Sequence, residues 1–356
     1  VTARRRAPAP RTPRSPRWAG IRAAAALALL APLAGCKLNR QQSALEPAGP
    51  QAAQLEGLWW FAFWISVAAY VLTIAALLYA TFRKRREHEP RVLQPTLSSE
   101  RRPVRWIVAA TGATIALLTV FLVVDLLTGR ALEAIERKQA LTVRVTGYQW
   151  WWRVEYRDTV PSRVVVTANE LHIPVGRPVM IEAVSGDVIH SFWVPSLHGK
   201  RDLVPGLKNR LWIQADRPGI YRGECAEFCG HQHAKMAFVV VAESQEQFDR
   251  WYAGQLREAE PPTDPLRAQG LQVFQSKACA VCHQIRGTLA GGHVAPDLTH
   301  LASRRTLAAG ALPNTRGHLG GWIVDPQSIK PGTRMPPNNL EPDELHALLA
   351  YLEGLK

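Results

Sequence analysis

Twenty-four consecutive residues, Gly57 to Ala80, carry no charge. Wound as a helix at 1.5 Å per residue they reach about 36 Å, enough to cross the hydrocarbon core of a bilayer with some tilt. A second run, Trp106 to Leu127, has a single carboxylate, Asp125, near its far end, where it can reach the headgroups. Trp59, Trp60 and Trp64 gather at the start of the first run, as an interfacial aromatic belt does. Two buried helices of a soluble protein would satisfy the same hydropathy. Against that reading, Arg83-Lys84-Arg85-Arg86 and then Arg101, Arg102 and Arg105 fall between the runs, and a short loop rich in Lys and Arg stays in the cytoplasm. The expected arrangement is a two-helix transmembrane hairpin over 57–127 with a cytoplasmic loop at 81–105, which returns residues 128–356 to the outside.

A net charge of +14 suggests a nucleic-acid binder until the charge is located. Seven Arg in residues 1–22, and eight Lys or Arg against three Glu in 83–105, account for nearly all of it. The rest of the chain has no cation surplus to neutralise a phosphate lattice, so no nucleic-acid partner is expected. The Arg- and Pro-rich start leads into an apolar run from Ala23 to Leu33, too short to span but suited to the core of a signal peptide. It ends Leu33-Ala34-Gly35-Cys36, which resembles the lipobox of bacterial lipoproteins. That resemblance implies a signal peptide at 1–35, lipid on Cys36 and a periplasmic segment at 36–56; with the hairpin, the expected location is multi-pass in a bacterial inner membrane. An ordinary signal peptide with an incidental thiol is the alternative.

From Leu141 the apolar pattern changes to period two, and short β-rich runs recur at 163–167, 178–184, 188–194, 208–214, 219–224 and 236–242. About seven short strands in ~100 residues predict a β-sandwich or Greek-key barrel. Five cysteines in the whole chain are too few for a disulfide scaffold. Two of them open the string Cys225-Ala-Glu227-Phe-Cys229-Gly-His231-Gln-His233-Ala-Lys-Met236, and His190 stands apart in Val188-Ile-His190-Ser-Phe-Trp193. Thiolate, imidazole and thioether together suit copper, whereas structural zinc seldom enlists Met. Two thiolates four residues apart on one loop can both bridge a pair of copper ions, each ion then needing one His and one weak ligand. A Cys225–Cys229 disulfide is the competing reading, and it leaves the downstream His and Met spacing unexplained.

The string His190-Ser-Phe-Trp-Val-Pro195, the Cys225 to Met236 motif and the aromatic cluster Gly147-Tyr-Gln-Trp150-Trp-Trp152 resemble subunit II of the haem-copper cytochrome c oxidases. The resemblance implies a cupredoxin-like β-sandwich over 128–242 that holds a dinuclear CuA centre. Cys225 and Cys229 would bridge, His190 and His233 would be terminal ligands, Met236 a weak ligand, and the Glu227 carbonyl would lie opposite. The Glu227 side chain would face a Mg²⁺ shared with subunit I, and Trp150 would be the aromatic through which electrons enter. His231 is the rival of His233 and is expected to be exposed or hydrogen-bonded. His172 and His198 stand outside any ligand cluster.

Residues 243–263 form a polar stretch ending at Pro261-Pro262, read as a short helix and linker. Beyond it, Cys279-Ala-Val-Cys282-His283 is the attachment signature of a c-type haem: two thiols add to the vinyl groups and the imidazole reaches the iron. Of three methionines, Met335 in Gly332-Thr-Arg-Met335-Pro-Pro337 resembles the distal ligand loop of small class I cytochromes c, while Met180 is expected in a strand core. Gly270, Phe274 and Tyr351 resemble the terminal-helix contact of the same all-α fold, here over 264–356. His293, His300 and His318 are secondary candidates.

The whole combination resembles subunit II of a caa3-type oxidase. It implies electron passage from haem c to CuA and on to the haem-copper centre of subunit I, for reduction of O2 to water. Expected partners are subunits I and III and an external cytochrome or quinol-oxidising complex as donor. A CuA-containing nitric-oxide reductase subunit and a free membrane-anchored carrier are the alternatives. Glu100 stands where the oxidase family often carries a proton-path carboxylate. A linker of about 20 residues is expected to keep the two redox domains together without a strong docking patch.

Overall fold

A computed structural model describes residues 42–83, 97–133 and 141–356. The expected signal peptide, Cys36, most of the loop expected to be cytoplasmic and the Glu100 side chain lie outside the described residues. Helices α1 (Pro50–Phe82) and α2 (Leu97–Glu133) carry the two apolar runs. Phe61 of α1 and Phe121 of α2 stack with ring centroids 6.2 Å apart, joining the N-terminal half of α1 to the C-terminal half of α2. Both helices are long and apolar enough to cross a membrane.

The start of α1 is tied to the β domain by backbone bonds. Ala48 N donates to Ser196 O (2.7 Å), Ala52 N to Leu197 O (3.2 Å), and Asp216 N to Ala48 O (2.7 Å). Gly49 permits this approach, because a Cβ there would lie 2.0 Å from Gln214 O.

Among the described residues the β domain is two five-stranded sheets. One runs β3 (Val165–Ala168), β2 (Trp151–Tyr156), β1 (Leu141–Tyr148), β5 (Val179–Ser185), β8 (Asn209–Ile213). The other runs β4 (Glu170–Pro174), β10 (Ala237–Glu243), β9 (Gly219–Cys225), β6 (His190–Trp193), β7 (Arg201–Leu203). Alternation sets the core: Val143 and Val145 of β1, Trp152, Val154 and Tyr156 of β2, and Ile181 of β5 are all buried between the sheets. Met180 therefore faces the other way from Ile181. It is half-buried opposite Trp212 of β8, which corrects the expectation that it belongs to the core.

Within 243–263, Glu243 closes β10 and Gln245–Gln255 forms α3. A capping box of Ser244 and Gln247 starts this helix, and its Phe248 is buried in the sandwich core. The connection to the next helix thus shortens to residues 256–264. The last domain comprises α4 (Pro265–Ser276), α5 (Cys279–Cys282), α6 (Arg316–Val324), α7 (Pro326–Ile329) and α8 (Pro342–Leu352). Helices α4 and α8 cross closely at Gly270, where a Cβ would lie 2.1 Å from Ala347 O. Phe274, Leu348, Leu349, Tyr351 and Leu352 fill the core beside this crossing.

The two domains are also in direct contact. Ala237 N donates to Ala309 O (2.9 Å), Gln232 Nε2 to Pro331 O (2.8 Å), Lys235 Nζ to Ile329 O (2.6 Å), and Arg305 N to the Glu170 carboxylate. The expectation of a tether without a docking patch is corrected by these bonds. They run mainly to backbone groups, which carry no trace in side-chain charge.

Candidate metal and haem sites

Strand β9 ends at Cys225, and the chain then turns through Ala226 to Gln232, a short 3-10 turn at His233–Lys235, and Met236 into β10. Backbone bonds close this loop: Cys225 N donates to Met236 O (3.0 Å), Ala226 N to Ser191 O (3.0 Å), and His233 N to Gly230 O (3.0 Å). Gly230 sits at φ +111°, outside the range open to most side chains. Pairing of β6 with β9, Phe192 opposite Cys225, brings His190 under the loop.

The resulting cluster is dense in donors. Cys225 Sγ lies 3.7 Å from Cys229 Sγ, 3.8 Å from His190 Nδ1 and 3.2 Å from Glu227 O. Cys229 Sγ lies 3.5 Å from His233 Nδ1 and 3.8 Å from Met236 Sδ. His190, Cys225 and Cys229 are buried, with ligand atoms mutually within 4.8 Å. Both cysteines are free, and their sulfur separation is far beyond the ~2.05 Å of a disulfide. Two soft sulfurs shared between two imidazole nitrogens, with a thioether and a carbonyl at the rim, fit a pair of copper ions by donor chemistry.

In the metal-free chain the hydrogen bond from Cys229 holds the Cys225 thiol down at about 3, with burial opposing and His190 assisting. The same contact pushes Cys229 up, reinforced by burial. Burial works against a charge on His190, but its contacts with Cys225 and Asp187 outweigh burial and raise its pKa.

Residues around the cluster hold it in shape, and the sequence did not single all of them out. His190 Nε2 is 2.8 Å from Asp187 Oδ1, so the carboxylate keeps the ring proton on Nε2 and turns Nδ1 toward the sulfurs. Asp187 Oδ2 also accepts from Gln149 N at 2.7 Å. Gly147 leaves room for the imidazole, since a Cβ there would lie 2.8 Å from His190 Cδ2. Gln149 Nε2 and Trp150 Nε1 both donate to Cys229 O, at 2.8 and 3.0 Å. The spacing Asp187-x-x-His190 was the available signal for the first of these groups.

Glu227 turns its carboxylate outward to Lys200 Nζ at 3.5 Å, while its carbonyl faces Cys225. His231 is exposed. His172 stacks on Trp251 and bonds Glu243. His198 has no partner for Nδ1, and burial with nearby Arg201 lowers its pKa to about 4.

In the second domain, Cys279, Cys282 and His283 line a mostly apolar cavity of about 1530 Å³, its open mouth included, that also takes in Met335, Trp322 and Leu301. Both cysteines are free. His283 Nδ1 is 2.8 Å from Pro296 O, which leaves Nε2 as the ligating nitrogen. Gln327 fixes the Met335 loop by donating to Thr333 O and Met335 O (2.8 Å each) and accepting from Gly332 N (2.9 Å). Two thiols, an imidazole and a thioether around an apolar void of this kind fit a covalent haem. His293 and His318 are exposed, and His300 is spent on Lys356 O and Arg257 O, at 2.9 and 3.1 Å. None of the three lines the cavity. The cavity's far wall comes from the β domain, through Tyr148, Gln149, Trp150 and Asn169.

Fold and sites together define a cupredoxin-type metal domain joined to a c-type cytochrome domain behind a pair of apolar helices. Residues 141–243 match the family model for the periplasmic domain of cytochrome c oxidase subunit II, and residues 268–356 match that for cytochrome c. A relative from Alkalihalophilus pseudofirmus named cytochrome c oxidase subunit 2 is 34% identical over 91% of this chain and 94% of its own. One of the same name from Bacillus sp. (strain PS3) is 31% identical over 77% and 80%. A third, from Bacillus subtilis, is 32% identical over 62% and 63%. The chain belongs to the cytochrome c oxidase subunit 2 family, with a cytochrome c domain at its C-terminal side. Membership implies CuA copper in the first domain and haem c in the second.

Proposed function

We propose that this chain delivers electrons to a haem-copper oxidase, from a haem c held by Cys279, Cys282, His283 and Met335, through CuA, to subunit I, where O2 is reduced to water. The observation that carries this reading is the pair of free sulfurs 3.7 Å apart, each facing an imidazole Nδ1. Copper and haem supply one-electron redox chemistry when bound. The residues would bind and orient them: Cys225, Cys229, His190 and His233 would hold the copper pair, with Met236 and the Glu227 carbonyl as weaker ligands. Trp150 is 8% exposed, lines the haem cavity and bonds the Cys229 carbonyl, which supports a role between the two centres. The outward Glu227 carboxylate, which pairs with the half-exposed Lys200, would exchange that partner for a Mg²⁺ shared with subunit I. The helices α1 and α2 would cross the bacterial inner membrane twice, with both redox domains outside and subunits I and III alongside. An external cytochrome or quinol-oxidising complex would reduce the haem.

Electron paramagnetic resonance of the copper-loaded chain tests the centre. One unpaired electron coupled equally to two coppers is expected, and a single-copper spectrum at full loading overturns the dinuclear assignment. Oxygen and nitric-oxide consumption by the chain assembled with its own subunit I tests the destination of the electrons.

A further inference from the structure

Lys330 follows α7 and is 2% exposed, among the most buried side chains of the protein. Its ammonium has three protons and meets three backbone carbonyls: Trp150 O at 2.8 Å, Lys235 O at 2.9 Å and Ala308 O at 3.1 Å. Two of these acceptors belong to the copper domain. Trp150 bonds the Cys229 carbonyl, and Lys235 immediately precedes Met236. The third belongs to the cytochrome domain's own turn. Ala308, Ala309 and Gly310 all have positive φ there (52°, 58° and 77°), a conformation unfavourable for alanine that the surrounding contacts must offset. That turn aims two successive carbonyls at the interface, one toward Lys330 and one toward Ala237 N.

A buried ammonium without a bonded carboxylate adds little net attraction, because its desolvation offsets the bonds it makes. Burial indeed pulls its pKa down to about 7. Its effect is on register. In any other docking orientation the ammonium is either unpaired in an apolar contact or back in water, so one alignment of the domains is singled out.

We infer that Lys330 is a positioning residue that keys the cytochrome domain onto the copper loop in the orientation used for haem-to-copper electron transfer. This rests on the proposed electron route, and the step it serves moves one electron and no atoms.

The test uses the full-length chain loaded with haem and copper, in detergent. Lys330→Met keeps the length and removes all three donors; Lys330→Gln keeps two. A small one-electron reductant is mixed rapidly with the chain, and copper reduction is followed after haem reduction. In parallel, hydrogen exchange is read at the Ala237 amide, whose bond to Ala309 O spans the interface. With Lys330→Met, transfer should slow by about tenfold or more and become dependent on solvent viscosity, since reorientation now precedes it. Ala237 exchange should accelerate by a comparable factor, as expected when buried acceptors lose their donor. Lys330→Gln should fall between. Both variants should keep the copper and haem spectra. Wild-type transfer and wild-type protection in Lys330→Met overturn the inference. So does loss of the copper or haem spectrum in both variants, which would make Lys330 a folding residue. If the unsubstituted chain, with Ala237 protected, never passes electrons from haem to copper, the electron route itself is overturned, separately from the docking.

Discussion

His190 illustrates how much of a ligand's behaviour is set by its neighbours. Its ring is fully buried, held at Nε2 by Asp187 and confined on one side by Gly147. Removing the carboxylate frees both the tautomer and the ring orientation, so Asp187→Ala should weaken copper binding by ~10- to 100-fold, with Asp187→Asn intermediate. Copper titration of the metal-free chain measures this, and unchanged affinity in Asp187→Ala would remove Asp187 from the site. His198 shows the opposite case, a half-buried imidazole whose Nδ1 is buried and unpaired and which stands outside the metal cluster. Its pKa falls from 6.5 to about 4 on folding, chiefly through burial. The unfolded chain therefore binds more protons than the folded one between those values. Stability from this group is complete above pH 6.5, declines as pH falls toward 4, and then levels off, a change on the order of 2–3 kcal/mol. His198→Asn should flatten the pH dependence of the unfolding midpoint in that window.

The elements differ in how plainly their residues announce them. In β1 the alternation of Val143 and Val145 with Thr142 and Arg144 is clean, and the sequence reading located it. β2 escaped because Trp150, Trp151 and Trp152 in succession hide the alternation that Trp152, Val154 and Tyr156 follow. β4 carries Glu170, buried at 4% exposure, which breaks the apolar rule because its carboxylate serves the Arg305 amide across the domain interface. β7 is three residues long, too short to show a period. The metal loop was legible because its chemistry demands fixed residue types, whereas Asp187, Gln149 and Gln327 act through hydrogen bonds that many polar residues could make. Gly270 was found through the resemblance to small cytochromes c, and the close α4–α8 crossing supplies its physical reason. A valine there meets the Ala347 carbonyl, which cannot move without unwinding α8, so Gly270→Val should cost roughly 1–3 kcal/mol or more. A lower unfolding midpoint of the haem domain and a smaller fraction of chain carrying haem are expected.

At the scale of the molecule, the sequence suggested two redox domains on a tether, and the structure shows them docked. The difference lies in the acceptors. Trp150 O, Lys235 O, Ala308 O, Ala309 O, Pro331 O and Ile329 O are backbone groups, and folding alone decides where they point. At the rim the structure adds one longer ion pair, Arg334 to Asp187 at 3.8 Å, which reaches the carboxylate that orients His190. These two kinds of contact respond differently to salt. Exposed charges more than about a Debye length apart, ~10 Å at 0.1 M, are screened, whereas bonds from a buried ammonium to carbonyls are shielded from the ions. If docking rests on the buried contacts, the haem-to-copper rate should change by less than about twofold between low and high salt. Reduction of the haem by a separate protein donor has to form a new encounter each time, and should follow ionic strength wherever opposite charges steer it. Rapid mixing at several salt concentrations separates the two steps. A haem-to-copper rate that falls steeply with salt would show that the domains meet by electrostatic attraction on each turnover, and the keyed interface around Lys330 would then not be the state that transfers electrons.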